Sequence, residues 1–380
     1  MVVDSAGIRI VTSVFDSLVV SDWSPSPDPL LDLGVVSGDS AQEFQFVAAA
    51  LRTSRGEILI ANAGSSELRG FSADGRFLRA TGRSGDGPGE FRNLSRIWRY
   101  AGDSVIAFDA GLRRVTVFDS ELRFGRIVSL ASPRRGLMPA LAGVLRDGTL
   151  VVNAISPVSP DAPGGALGVH RSIYGVYLYS PDGQPRDSVT TTPGDEWVGV
   201  EDGGAIMLAG RPFYRDGFVV AEGNAMIVAD GDVYDLRVYT GARLRKRFRS
   251  LSSPRAVTAR DISRYTELFL ARFPEGAGRL EAERRVSRTP FPETFAALAG
   301  LRADVDGYLW IEMTRAPDEV QPRFEVLDSA GVPRATATMP ARFTVMDIGR
   351  DYILGRVLDS LNVEHVRMLS LQRSERRPSR

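Results

Sequence analysis

Short apolar runs, broken at close intervals by glycine, asparagine and aspartate, dominate the pattern along the chain. Glu57 to Ala61 and Ser104 to Phe108 are two such runs, with turn signals recurring about every 8 to 12 positions. Runs this short, bounded in this way, predict β-strands in four-stranded meanders. One segment departs from the pattern. From Thr258 to Phe273 the residues Ile262, Tyr265, Phe269 and Phe273 share one helical face, Thr258 and Asp261 have capping-pair spacing, and Pro274 and Gly276 end the run. A second short helix is predicted from Gly278 to Ser287.

The strand pattern repeats. Gly38-Asp39 with Glu43-Phe44 recurs as Gly85-Asp86 with Glu90-Phe91 at an offset of 47 residues, and Asn62, Phe71 and Phe77 meet Asp109, Phe118 and Phe124 at the same offset. A third copy runs from Ile227 to Asp230 and on to Tyr239. Looser copies join Thr149–Asn153 to Tyr177–Ser180, Tyr308–Glu312 to Phe324–Asp328, and Tyr352–Arg356 to Val366–Leu371. Six four-stranded units cannot each bury two faces alone, but radially packed sheets can. The expected fold is therefore all-β, a six-bladed β-propeller with the helical insertion between blades four and five. Leu30 to Gly34 aligns with a fourth strand, so an N-terminal strand is expected to close the last blade. The expected divisions are 1–29, an N-terminal strand segment with Ser24 to Pro29 as an extended linker; 30–373, the propeller, with an insert at 254–292; and 374–380, a disordered tail.

Loop length then separates the two faces of such a ring. The turns Asp147-Gly148 and Asp306-Gly307 fall between strands one and two, and Asp74-Gly75 and Asp182-Gly183 between strands three and four, which trims one face. The insertions Ala154 to Arg171, Pro254 to Pro292 and Met313 to Pro322 all belong to the other face. Binding residues concentrate on loops held by a rigid scaffold, so function is expected there, with the helical insert partly capping the channel.

Charge narrows the partners. With 47 basic and 47 acidic residues the chain carries no net field toward nucleic acid or an anionic membrane. Lys246 is the only lysine, so arginine abundance looks like compositional bias and is not itself a sign of phosphate binding. There is no cysteine, which excludes disulfides, thiolate metal sites and a cysteine nucleophile. No apolar run reaches the roughly 18 to 20 residues of a membrane span.

The run Asp109-Ala110-Gly111-Leu112-Arg113-Arg114-Val115-Thr116-Val117-Phe118, preceded by Gly87-Pro88-Gly89-Glu90-Phe91, resembles the NHL-repeat type of six-bladed propeller. The opening Asp4 to Val11 also looks like the start of mature bacterial propellers that follow an export or lipoprotein leader. That resemblance implies an extracytoplasmic location, periplasmic, lipoprotein-anchored or secreted.

Several residues are candidates for chemistry, each with a structural alternative. Asn62, Asp109, Asn153, Asp230 and Glu312 occupy equivalent positions at the end of strand two; they would suit calcium, or they tie turns through backbone hydrogen bonds. Arg92, Arg211, Arg215 and Arg342 fall near the start of first strands and would bind a carboxylate or phosphate, or form ion pairs. His170 lies in the first insertion without a ligand partner. Asp195-Glu196-Trp197, between blades three and four, pairs carboxylates with an aromatic. No hydrolase signature such as Gly-x-Ser-x-Gly is present, so no catalytic residue is assigned. The function expected is noncatalytic binding, by a monomer without a cofactor, of a small molecule, peptide, glycan or envelope protein on the looped face. The alternative is a calcium-dependent hydrolase or lactonase at the channel mouth, since propeller hydrolases of the gluconolactonase-like group assemble calcium sites from scattered residues.

Overall fold

Successive short strands pair with their sequence neighbours, as the turn spacing demands. The computed structural model describes residues 1–13, 20–156, 167–202 and 205–373. Four strands precede the first sheet: β1 (Val2–Ser5), β2 (Ile8–Ser13), β3 (Ser21–Asp22) and β4 (Pro25–Leu33). The first sheet holds β5 (Val47–Arg52), β6 (Ile58–Asn62), β7 (Glu67–Phe71) and β8 (Phe77–Thr81). The second holds β9 (Leu94–Arg99), β10 (Val105–Asp109), β11 (Arg114–Phe118) and β12 (Phe124–Ser129). The third holds β13 (Met138–Val144), β14 (Leu150–Ile155), β15 (Gly168–Tyr179), β16 (Pro185–Asp202) and β17 (Ala205–Gly210). The fourth holds β18 (Gly217–Glu222), β19 (Ala225–Asp230), β20 (Asp235–Thr240) and β21 (Arg243–Ser250). Helices α1 (Ala259–Leu270) and α2 (Ala277–Arg288) follow. The fifth sheet holds β22 (Gly300–Ala303), β23 (Leu309–Glu312), β24 (Arg323–Leu327) and β25 (Pro333–Thr338). The sixth holds β26 (Phe343–Ile348), β27 (Tyr352–Leu358) and β28 (Glu364–Leu371).

Second strands such as β6 and β10 are buried along their whole length because a neighbouring sheet covers each face, which is why they read as continuous apolar runs. Each contact between sheets has its own cluster. Leu59 packs with Ile97, Phe108 with Leu150, Val151 with Val228, Leu236 with Leu309, and Trp310 with Ile353. A sixth cluster, with Ile60 and Leu354, returns from the last sheet to the first. The sheets therefore close a ring, the radial arrangement of a β-propeller.

Closure uses the N-terminus. β4 pairs antiparallel with β28, placing Leu33 opposite Val366 and Leu31 opposite Met368. The stretch Ser24 to Pro29, expected to be a linker, instead enters this strand from Pro25. Its prolines cannot donate to a ladder, but β4 is an outer edge where only one side needs partners. The β1–β2 hairpin adds to the outer edge of the fourth sheet, with β2 parallel to β21, and β3 runs parallel to β25.

The four Asp-Gly turns are tight, with Gly75, Gly148, Gly183 and Gly307 at φ between 82 and 89°. The Met313 to Pro322 segment joins β23 to β24, as expected. At the ends of the Ala154 to Arg171 insertion β14 continues to Ile155 and β15 begins at Gly168, while residues 157–166 lie outside the described residues. The tail expected at 374–380 also lies outside them.

The predicted helix start is a capping box. The Asp261 amide donates to the Thr258 hydroxyl and the Thr258 amide donates to the Asp261 carboxylate at 2.9 Å. Thr258→Ala should therefore cost about 1 kcal/mol locally, read as faster amide exchange from Ala259 to Ile262.

Candidate functional site

Inner strands from all six sheets line a channel of about 1030 Å³. Small residues keep it open, among them Ala48, Ala49 and Ala50 on β5 and Ala140 and Ala142 on β13. Arg96 on β9 and Arg302 on β22 project into it from the second and fifth sheets, three places apart in the ring. Neither guanidinium has a hydrogen bond or an ion pair within 4 Å among the described residues, while Glu312 and Asp216 act on them only at longer range. Arg96 is exposed within the channel, and the protein around it lowers its pKa against the pull of Asp216. Burial also lowers that of Arg302; Glu312 opposes this and the like charge of Arg96 adds to it. Two incompletely hydrated cations sharing one cavity make a receptor for a small anion.

Beside them, Asp216 accepts from the Tyr174 hydroxyl at 2.9 Å and from the Gly217 amide at 2.7 Å. Burial pushes the Asp216 carboxyl above the usual carboxylate range despite these donors, and nearby Asp195 adds to the shift. At the trimmed end a different group seals the wall. Asp347 accepts from the Tyr352 hydroxyl at 2.8 Å and the Arg52 amide at 3.0 Å, and pairs with Arg99, whose Nε donates to the Arg52 carbonyl at 2.8 Å. This seam joins the first, second and sixth sheets.

The arginines expected at the mouth are engaged elsewhere. Arg92 pairs with Asp86 on the surface, and Arg342 donates to the Asp359 carbonyl at 3.2 Å. Arg211 and Arg215 both meet the buried Glu196, and they donate to the Pro290 carbonyl and the Thr294 hydroxyl at 3.0 and 2.8 Å. They bind the helical insert to β16. None of the four lines the channel.

His170 and Trp197 face each other across the β15–β16 ladder, so Asp195-Glu196-Trp197 belongs to a strand and not to a connecting loop. His170 and Trp197 do not line the channel.

The expected ring of oxygen ligands does not assemble. Asn62 accepts from the Gln45 amide at 2.8 Å, Asp109 from the amides of Arg92 and Leu112 at 2.7 and 2.8 Å, and Asp230 from the Asp232 amide at 2.9 Å. These three fasten turns. Asn153 and Glu312 alone of the five line the channel. Among the described residues no three His, Cys, Asp or Glu side chains are grouped to hold a metal.

The helices line no part of the channel. They pack beside it, with Arg288 donating to the Glu201 carbonyl at 2.7 Å and Arg264 pairing with Asp318 at 2.9 Å.

No protein-family model matches the chain, and no curated protein matches it. Among solved structures, it is similar to an exported protein from Bacteroides fragilis, at 11% identity and a TM-score of 0.51, covering 96% of this chain and 100% of that one. A gluconolactonase from Xanthomonas campestris matches at 14% identity and a TM-score of 0.43, covering 94% of this chain and 99% of that one. Regucalcin, a calcium-binding protein from Agrobacterium tumefaciens, matches at 11% and 0.44, covering 94% and 98%. At such identities the likeness concerns the fold alone. Among the described residues no helix is long and apolar enough to cross a membrane.

Proposed function

We propose that this chain is a six-bladed, NHL-like propeller that binds a small organic anion in its channel without chemical turnover, in an extracytoplasmic compartment. The helical insert lies between its fourth and fifth blades. The observation that carries the binding role is the pair Arg96 and Arg302, both facing the channel without a contacting carboxylate. A cation that faces the channel without a close partner keeps its hydrogen-bonding capacity free for a ligand's acid group. The site favours a small molecule over a folded partner because the cations lie inside the channel and not on the rim.

The test is calorimetric titration with methanesulfonate and benzenesulfonate, whose charge is constant across the working pH range. Saturable binding at one site per chain that weakens with added salt is expected. Absence of binding to either probe, at concentrations up to about a hundred times a millimolar Kd, would reject the reading.

Acid should strengthen this binding. Below its raised pKa Asp216 is neutral; as pH rises through that pKa the carboxylate forms, partly neutralises Arg96 and repels the anion. Tyr174, Asp195 and Arg171 face the same carboxyl and set where the change falls. Affinity for methanesulfonate is expected to rise severalfold from about pH 7 to pH 4, and Asp216→Asn should flatten that dependence. A variant that keeps the full dependence would assign it to another group.

A further inference from the structure

The five-residue turn from Arg211 to Arg215 enters the fourth sheet at the channel mouth, and four of its side chains are held in place. Arg211 and Arg215 are tied to Glu196 and the helical insert, and Pro212 is buried. Phe213 has φ 52°, an unusual conformation for a bulky residue. It is clamped among Tyr265, Phe291 and Phe295, with ring centroids 5.4, 5.7 and 4.8 Å away.

Tyr214 is the exception. It is 55% exposed, and its hydroxyl has no hydrogen-bond partner among the described residues. Asp216 and Glu312, which line the channel, are within electrostatic reach of it. A strained, firmly anchored turn thus presents one exposed aromatic ring two residues before Asp216, where the chain enters the channel wall, although Tyr214 does not itself line the channel. Strain of this kind persists where the surroundings over-determine it, and it clusters at ligand-contacting positions.

We propose that Tyr214 stacks on a ring of the bound ligand, so that the ligand is a ring-bearing organic anion whose acid group reaches Arg96 and Arg302. This rests on the anion-binding reading above. The helical insert then acts through Phe213: it fixes the ring platform at the mouth and contributes nothing to the channel wall.

Benzenesulfonate and methanesulfonate separate the two ideas, since they share a charged group and differ in the ring. The native protein should prefer benzenesulfonate by about tenfold, the range of an aromatic contact. Tyr214→Ala should reduce that preference to about twofold or less, leaving methanesulfonate affinity and the thermal midpoint unchanged, while Tyr214→Phe keeps the preference. No preference in the native protein, its survival in Tyr214→Ala, or equal weakening of both probes would overturn the ring contact and leave the anion site standing. Failure of both probes to bind the native protein would overturn both.

Discussion

Replacing Arg302 by alanine should weaken binding of benzenesulfonate by roughly 30-fold or more, the worth of a charge-assisted contact in a walled cavity. Arg302 has no close counter-charge to share it with, so nearly all of its hydrogen-bonding capacity faces the ligand. Arg302→Lys should recover only part of the affinity because an ammonium lacks the planar fork. The stability readout has the opposite sense. Removing an unpaired, poorly hydrated cation should leave the thermal midpoint unchanged or raise it. A large fall in stability together with unaltered affinity would make Arg302 a structural residue and defeat the proposal.

Arg373→Ala should lower stability by about 2 to 4 kcal/mol, through an uncompensated buried charge. Asp304 is almost wholly buried and accepts from the amides of Asp306 and Tyr308 and from the indole of Trp310, each at 2.9 Å. Arg373 contacts it at 2.8 Å, donates to the Gly349 carbonyl at 2.6 Å, and lies over the rings of Trp23 and Tyr308. One side chain thus joins the fifth sheet, the sixth sheet and the N-terminal segment. Burial raises the Asp304 carboxyl even with these donors present, and losing Arg373 should raise it further. The penalty applies while Asp304 is ionised and lifts as pH falls through its folded-state pKa, so the gap between variant and native protein should narrow in acid. Urea denaturation at about pH 7 and pH 5 checks both the size and the sign. An unchanged midpoint at neutral pH would show that the three N–H donors suffice.

The parts of the fold legible in the sequence were those set by local chemistry. Asn62, Asp109 and Asp230 end their second strands because an acceptor side chain there ties nearby backbone turns, a role that recurs in three of the units. Thr258 and Asp261 announced α1 for the same kind of reason. Pro25 to Pro29 misled because strand propensity assumes two hydrogen-bonded sides, whereas an outer edge has one. His170 and Trp197 were misplaced because a long hairpin looks like an insertion when only the regular repeat length is counted.

The arginines were the harder case. Arg96 and Arg302 each hold the third position of a first strand, in Leu94-Ser95-Arg96 and Gly300-Leu301-Arg302. That equivalence was the available signal, and a chain whose basic residues are nearly all arginine concealed it. Arg211 and Arg215 lay nearer the expected mouth, but Glu196 on β16 had already engaged both, Arg211 as it leaves the same sheet and Arg215 as the chain enters the next. Pairing across sheets is set by the ring, and a single strand's sequence carries no trace of it.

The pairing of β4 with β28 also dictates an order of assembly. The first of these strands leaves the ribosome before the five intervening sheets and its partner after them. Closing so long a loop carries a large entropic cost, and contacts this distant in sequence slow folding. Until β27 and β28 arrive, Ile60 and its neighbours on the first sheet lack their cover from Leu354 and Val366, and the growing chain presents an open arc with apolar faces at both ends. The ring becomes a single cooperative body only when its two ends meet, so its kinetic persistence rests on one junction more than on any other.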